Sequence, residues 1–397
     1  MKAGWKLTTL GDSFTTATGN TPPKNNAGLF GSFMPLVKPP ELCDAELDTS
    51  EDGLSELGVP FARTVPPNSI LVSCIGNLGK IGLNTVPVAF NQQINAILPD
   101  ARKALPRFMF FQVLSCTFKD QLESMASGTT VPIVNKSKFN SIQIVLPPLS
   151  EQKRIVTLLD EVFAHIATAK ANAEQNLQNA RALFESHLQS VFSRRNKGWL
   201  NKPLGDCVNA ISTGPFGSLL HKSDYVFGGT PLVNPINIAG EEIVSNPNKT
   251  VSTETVDRLH AYKLRENDIV IARRGEIGRC AVVQKDQSGW LCGTGCFIIR
   301  PSKSTDPHYL THLLRSAHYR KQLEGVSDRA TMPSISNSDL SSLVVVLPPI
   351  TEQLNFLERI KLLSTETQRL ESIYQQKLTA LDALKKSLLH QAFCGQL

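Results

Sequence analysis

Two adjacent arginines precede a pair of glycines in the stretch Ile271-Ala272-Arg273-Arg274-Gly275-Glu276-Ile277-Gly278-Arg279. Glycine lets a backbone approach a phosphate, and a guanidinium can clamp phosphate or read guanine through two parallel hydrogen bonds. Arg273, Arg274 and Arg279 are therefore candidate DNA contacts, and the alternative is a tight hairpin with solvated arginines. A related stretch, Cys74-Ile75-Gly76-Asn77-Leu78-Gly79-Lys80, lacks the paired arginines. Contact there, through Asn77 and Lys80, is expected to be weaker or different. Two further segments mix hydroxyl, amide and basic groups that suit phosphate positioning. One holds Thr129, Thr130, Lys136 and Lys138, and the other Arg329 and Asn337. Ordinary helix-to-strand connectors have the same composition, so both readings stand. Gln92, Gln93 and Asn95 carry amides that match the donor and acceptor of an adenine edge.

No catalytic set accompanies these residues. The sequence has no Gly-x-Gly-x-x-Gly or Walker loop, no paired-His metal motif and no nucleophile elbow. Its Pro-Pro pairs at 147–148 and 348–349 follow Leu, not the Asn or Asp of an amino-methyltransferase motif. The eight histidines are dispersed, and the closest cysteines, Cys292 and Cys296, have no second pair at zinc-finger spacing. The chain is accordingly expected to bind no S-adenosylmethionine, ATP or metal and not to be an enzyme, so any chemistry would belong to partners. A net charge of +6, from 41 basic and 35 acidic residues, permits a nucleic-acid partner without demanding one. No apolar run approaches a membrane span and Met1–Leu10 holds no signal-peptide core, so a cytoplasmic protein is expected.

The elements that must position these groups occur twice. Gly4-Trp5 with Leu10-Gly11-Asp12 returns as Gly198-Trp199 with Leu204-Gly205-Asp206. Asn68-Ser69-Ile70-Leu71-Val72, leading to Gly76 and Gly79, returns as Asn267-Asp268-Ile269-Val270-Ile271, leading to Gly275 and Gly278. Leu146-Pro147-Pro148 with Glu151-Gln152 returns as Leu347-Pro348-Pro349 with Glu352-Gln353. The copies stand 194 residues apart at Gly4/Gly198, 199 at Asn68/Asn267 and 201 at Leu146/Leu347. From Thr130/Thr331 to Phe192/Phe393 the offset stays at 201. Insertions thus fall in the first part of each copy, as variable loops allow, and the last part is length-locked, as a helix in register requires.

The first part of each copy, about 150 residues, reads as a β-rich mixed domain. Apolar runs at Ser69–Ser73, Ile142–Leu146, Ile269–Ala272, Phe297–Arg300 and Leu343–Leu347 predict strands. One helix interrupts each domain, over Pro106–Ser124 and Pro307–Glu324. Trp5 and Trp199 are expected to anchor the cores. The second part has no Gly or Pro between Pro148 and Gly198, nor between Pro349 and Gly395. Apolar residues recur every three or four positions: Ile155, Leu159, Val162, Ile166, Ala169, Ala173, Leu177, Ala180 and Phe184, then Leu357, Ile360, Leu363, Leu370, Ile373, Leu381, Leu384 and Leu388. That is coiled-coil spacing, with Ser150 and Thr351 placed to cap the helix starts. The expected fold is α+β: two tandem β-rich domains, 1–149 and 198–350, joined by two long antiparallel helices, 150–197 and 351–397, in an internal repeat of pseudo-two-fold type. A helix of about 43 residues spans roughly 65 Å.

These features resemble the specificity subunits of type I restriction–modification enzymes, across nearly the whole chain. The resemblance rests on the tandem repeat and on the paired hinges LPPLSEQKRI (146–155) and LPPITEQLNF (347–356). It rests also on SILVSCIGNLGK and DIVIARRGEIGR, and on domain openings such as GNTPPKNNAGLFG and TGPFGSLLHKSDY. It implies two target-recognition domains, each reading one half of a split, asymmetric site in double-stranded DNA. It further implies helices that space the halves and dock two methyltransferase subunits, with restriction subunits joining through the complex. Grooves on one DNA face recur every ~34–36 Å, within the range of such a helical spacer. DNA proximity of His221, Lys222 and Tyr225 rests on the resemblance alone, and the Gly-Pro-Phe-Gly turn before them is read as structural. A two-headed scaffold that binds other proteins, or an enzyme whose site is shared by both copies, are the competing readings.

Overall fold

The computed structural model describes residues 4–128, 130–193, 199–216, 219–325 and 334–397. The chain divides into two compact units, Met1–Gln175 with Tyr374–Leu397, and Asn176–Ile373. These units cut across the sequence segments, because each long helix contributes one part to each unit.

In the first unit a five-stranded sheet runs in the order Thr15–Thr18, Ile94–Leu98, Ile70–Ser73, Ile81–Asn84, Ala45–Leu47. A second sheet runs Gly53–Leu54, Phe30–Val37, Val88–Phe90, Thr64–Val65. The strand Ile70–Ser73 is buried along its whole length because both of its faces are covered. Ile70 and Val72 join a core with the helices Pro106–Leu114 and Cys116–Ser124. Leu71, pointing the other way, joins Val37, Val88 and Phe90 of the second sheet. The expected single helix over 106–124 is thus two: Ser115 is extended, donates to the Gln112 carbonyl and caps the second helix by accepting from the Phe118 amide. Trp5 belongs to the core as expected.

The second unit repeats the plan. Its central sheet runs Val208–Thr213, Cys296–Pro301, Ile269–Ala272, Cys280–Val282, and its second sheet Tyr225–Val226, Thr250–Val251, Thr230–Val233, Leu291–Cys292. Ile269 and Ile271 face the helices, and Val270 faces the opposite core. Ser316 breaks Pro307–Arg315 from Ala317–Gly325 as Ser115 does in the first copy. Trp199 is half-buried, and its indole donates to Glu352 at 3.0 Å, so it ties to a helix start instead of anchoring a core.

The long helices span Leu149–Ser193 and Ile350–Cys394. Both begin immediately after Pro-Pro, so Ser150 and Thr351 lie inside the first turn and are not caps. The glutamine of each hinge has the decisive contacts. Gln152 is fully buried, accepts from the Leu105 amide at 2.9 Å and donates to the carbonyls of Lys103 and Pro147, each at 2.9 Å. Gln353 does the same with the Asp306 amide and the carbonyls of Ser304 and Pro348.

The helices pair antiparallel within each unit. In the first unit Lys170 pairs with Asp382 at 2.8 Å, and Phe393 packs edge-on at 5.3 Å against Phe108 of the domain helix Pro106–Leu114. In the second, Arg181 pairs with Glu371 at 3.0 Å. Leu159, Ile166, Ala173 and Ala180, seven apart, form the buried seam of the first helix. On its partner Ile373 and Leu384 fall off the expected seam and are exposed, while Tyr374, Leu378 and Lys385 are half-buried.

Candidate nucleic-acid interface

In the first unit three of the candidate segments are joined by backbone. The Cys74 amide donates to the Gln93 carbonyl at 2.7 Å, and the Cys74 carbonyl accepts from Val134 at 2.9 Å. Ile75 stands opposite Ile133 in an antiparallel bridge, and the Gly76 amide donates to the Pro132 carbonyl at 2.9 Å. Gly76 and Gly79 have φ of 77° and 72°, and nothing lies within 4 Å of where a Cβ on Gly76 would sit. The glycine provides the left-handed turn, and the space beside it is open. Ser73 pins the loop, its hydroxyl donating to the Asn77 carbonyl and accepting from the Lys80 amide.

The junction sorts the candidates. Asn77, Gln92, Thr130 and Lys136 are exposed on it or beside it. Gln92 accepts from Thr21 at 3.1 Å. Lys80 and Gln93 are half-buried, and Gln93 accepts from the Asn91 side chain. Lys138 turns inward, its ammonium donating to the Met125 carbonyl at 2.8 Å. Asn95 is buried and accepts from Thr18, so it cannot reach a base edge. Thr129 lies outside the described residues. The sequence reading missed Ile75, Val131 and Ile133, apolar side chains that reach solvent here, Val131 47% and Ile133 40% exposed. Apolar letters in a connector read as core, so no sequence signal marked them.

The second unit builds the same junction. The Arg273 amide donates to the Gly295 carbonyl at 2.9 Å, its carbonyl accepts from Ile335 at 3.0 Å, and Arg274 bridges Ser334. Gly275 and Gly278 again have positive φ. Arg273 is half-buried with its guanidinium 5.3 Å from the Phe297 ring centroid. Its Nε is buried with no acceptor, and desolvation, then the neighbouring Arg274 charge, lowers its pKa. Arg274 is exposed and makes no ion pair among the described residues. Arg279 is held by Glu276 and lies 3.5 Å from the Pro235 carbonyl. Asn337 is half-buried and engaged within the domain, donating to the Ile211 carbonyl and accepting from Ser341. Lys222 is exposed on a turn closed by Asp224 and His221. Arg329 lies outside the described residues. Phe216 is exposed, while Gly214 and Pro215 before it are buried.

Behind the Arg279 side of the loop lies a cleft of about 440 Å³ lined by Glu241, His312, Arg315 and Arg320 among others. His312 sits 3.5 Å from Glu241, and burial lowers its pKa. Burial pushes the thiols of Cys74 and Cys280 up to about 12, those of buried, protonated cysteines. Among the described residues no group of three or more His, Cys, Asp and Glu side chains is arranged to hold a metal, and no helix is long and apolar enough to cross a membrane.

Comparison with known proteins gives one family. The model described as "Type I restriction modification DNA specificity domain" matches residues 2–179 and again 196–380. The chain is 23% identical over 416 residues to the type I restriction enzyme EcoKI specificity subunit of Escherichia coli (strain K12), covering 99% of this chain and 89% of that protein. Its fold matches a chain from a structural study of assembly and conformational transition in the type I R-M system, with TM-score 0.79, 20% identity and coverage of 100% and 99%. It also matches the HsdS subunit from Thermoanaerobacter tengcongensis, with TM-score 0.64, 20% identity and coverage of 100% and 98%.

Proposed function

The chain belongs to the family of type I restriction–modification DNA specificity subunits, and on that premise we propose that it reads a DNA target in two unlike halves, one per repeat, and carries that reading to docked methyltransferase subunits. One observation carries the proposal. Each repeat fuses a Gly-x-x-Gly loop, a strand-connecting turn and the segment after the helices by equivalent backbone hydrogen bonds, yet presents different side chains on that frame. A conserved frame with exchanged side chains is what two readers of different sequence require, since backbone sets position and side chains set base preference.

Chemistry belongs to the partners in this reading. The sequence offers no loop for S-adenosylmethionine or ATP, so these and Mg²⁺ reside on the methyltransferase and restriction subunits. The long helices serve as the docking surface, and Leu183, Leu354 and Leu362 give them exposed apolar contacts for a partner. The test is co-expression with type I methyltransferase subunits, followed by DNA binding over a range of salt and mapping of the bound sequence. A single bipartite motif and affinity that falls steeply with salt are expected. Salt-insensitive binding without a motif would favour the protein scaffold.

A further inference from the structure

We propose that the two repeats divide the bases between them: the first reads A·T pairs through Ile75, Ile133 and Gln92, and the second reads guanine through Arg274. This rests on the two-reader function above and adds the chemistry of each half-site.

The argument begins from equivalence. Cys74 and Arg273 occupy the same place in the two junctions, each donating its amide to a turn carbonyl and accepting from the segment after the helices. Ile75 and Arg274 then occupy the same bridge position, opposite Ile133 and Ser334. One frame therefore presents Ile across from Ile in the first repeat and Arg across from Ser in the second.

Each pair has a distinct complement in the major groove. Thymine alone offers a methyl group, and adenine offers the donor–acceptor pair that a side-chain amide matches. Solvent-reaching Ile75 and Ile133, with Val131 beside them and the exposed Gln92 amide on the neighbouring turn, suit both. Apolar side chains offer a phosphate neither charge nor hydrogen bond, and they gain nothing from guanine's two acceptors. Guanine presents those acceptors side by side, the geometry that a guanidinium meets best.

Arg274 is exposed, and Arg273 beside it has an Nε that is buried without an acceptor. A buried guanidinium donor with no partner is unfavourable in the free protein. Neither arginine has a carboxylate partner among the described residues, unlike Arg279, which Glu276 holds. Arg273, fixed against Phe297, is too enclosed to lead, which leaves the exposed Arg274 as the reader.

The experiment uses the full chain co-purified with its methyltransferase subunits and a DNA pool randomised across both half-sites. Bound DNA is sequenced for the wild type, Arg274→Ala and Ile133→Ser. Both side chains reach solvent, and co-purification with partners checks that each variant is folded. Arg274→Ala is expected to relax one guanine position by roughly 5- to 150-fold and to leave the other half-site unchanged. Ile133→Ser is expected to relax an A·T position in that other half only. A retained guanine preference in Arg274→Ala would overturn the assignment. So would a uniform loss of affinity with a shallower salt slope, which marks a phosphate contact. A wild-type pool without any bipartite motif would instead remove the two-reader function on which the assignment stands.

Discussion

At the scale of single residues the hinge glutamines are the clearest case of a side chain acting as backbone. Gln152 and Gln353 are each fully buried and satisfy an amide and two carbonyls at the start of a long helix. Replacing Gln152 by Leu keeps the volume and strands all three groups. An unsatisfied buried polar group costs about 1–3 kcal/mol, so Gln152→Leu should lower stability by at least about 2 kcal/mol, read as a shift in urea midpoint. Gln152→Glu retains the acceptor for Leu105 but not the donor to Lys103 and Pro147, and should still destabilise. His312 gives a pH signature. Burial lowers its pKa below that of the unfolded chain, so the unfolded state binds more protons there. Stability should therefore fall as pH drops through about 6.5, the unfolded value. His312→Gln should flatten that part of a Tm-against-pH curve; an unchanged curve would show that Glu241 compensates.

At the scale of elements the long helices are held by buried apolar residues and by ion pairs at the flank. Leu159, Ile166, Ala173 and Ala180 supply the seam, and the Lys170 pair holds the Asp382 carboxyl below the usual range. Asp382 is exposed and Lys170 only half-buried, so the seam carries the stability and the pair refines register. Ala173→Pro removes one helical hydrogen bond and clashes with the preceding turn, costing about 3 kcal/mol or more. Loss of methyltransferase co-purification is the expected outcome, with DNA-independent folding followed by circular dichroism; an intact complex would show that continuous helix is dispensable for docking.

At the scale of the whole molecule the repeat makes a modular prediction. Each unit has its own cores and its own junction, so a reading domain can be exchanged without rebuilding the other. Substituting residues 199–346 by the corresponding segment of another specificity subunit should change the letters of one half-site and keep the other. Mapping of methylated positions in cells carrying the hybrid would check it, and new letters in both halves would contradict separate readers.

The residue pattern alone determined the repeat, the central-sheet strands Ile70–Ser73, Ile269–Ala272 and Cys296–Pro301, the two long helices and the Gly-x-x-Gly loops, because periodicity, proline and glycine act locally and read directly from neighbouring letters. It also singled out Arg273 and Arg274. Tertiary structure decided which candidates face solvent. Lys138, Asn95 and Asn337 are drawn inward by carbonyls and hydroxyls far away in sequence, and Ile75 and Ile133 are turned outward by a bridge between segments 58 residues apart. Helix starts and the break at Ser115 were likewise set by long-range demands and by a single capping hydroxyl. A side chain's polarity is written in the sequence, but its exposure depends on partners that only the folded chain brings within a hydrogen bond's reach.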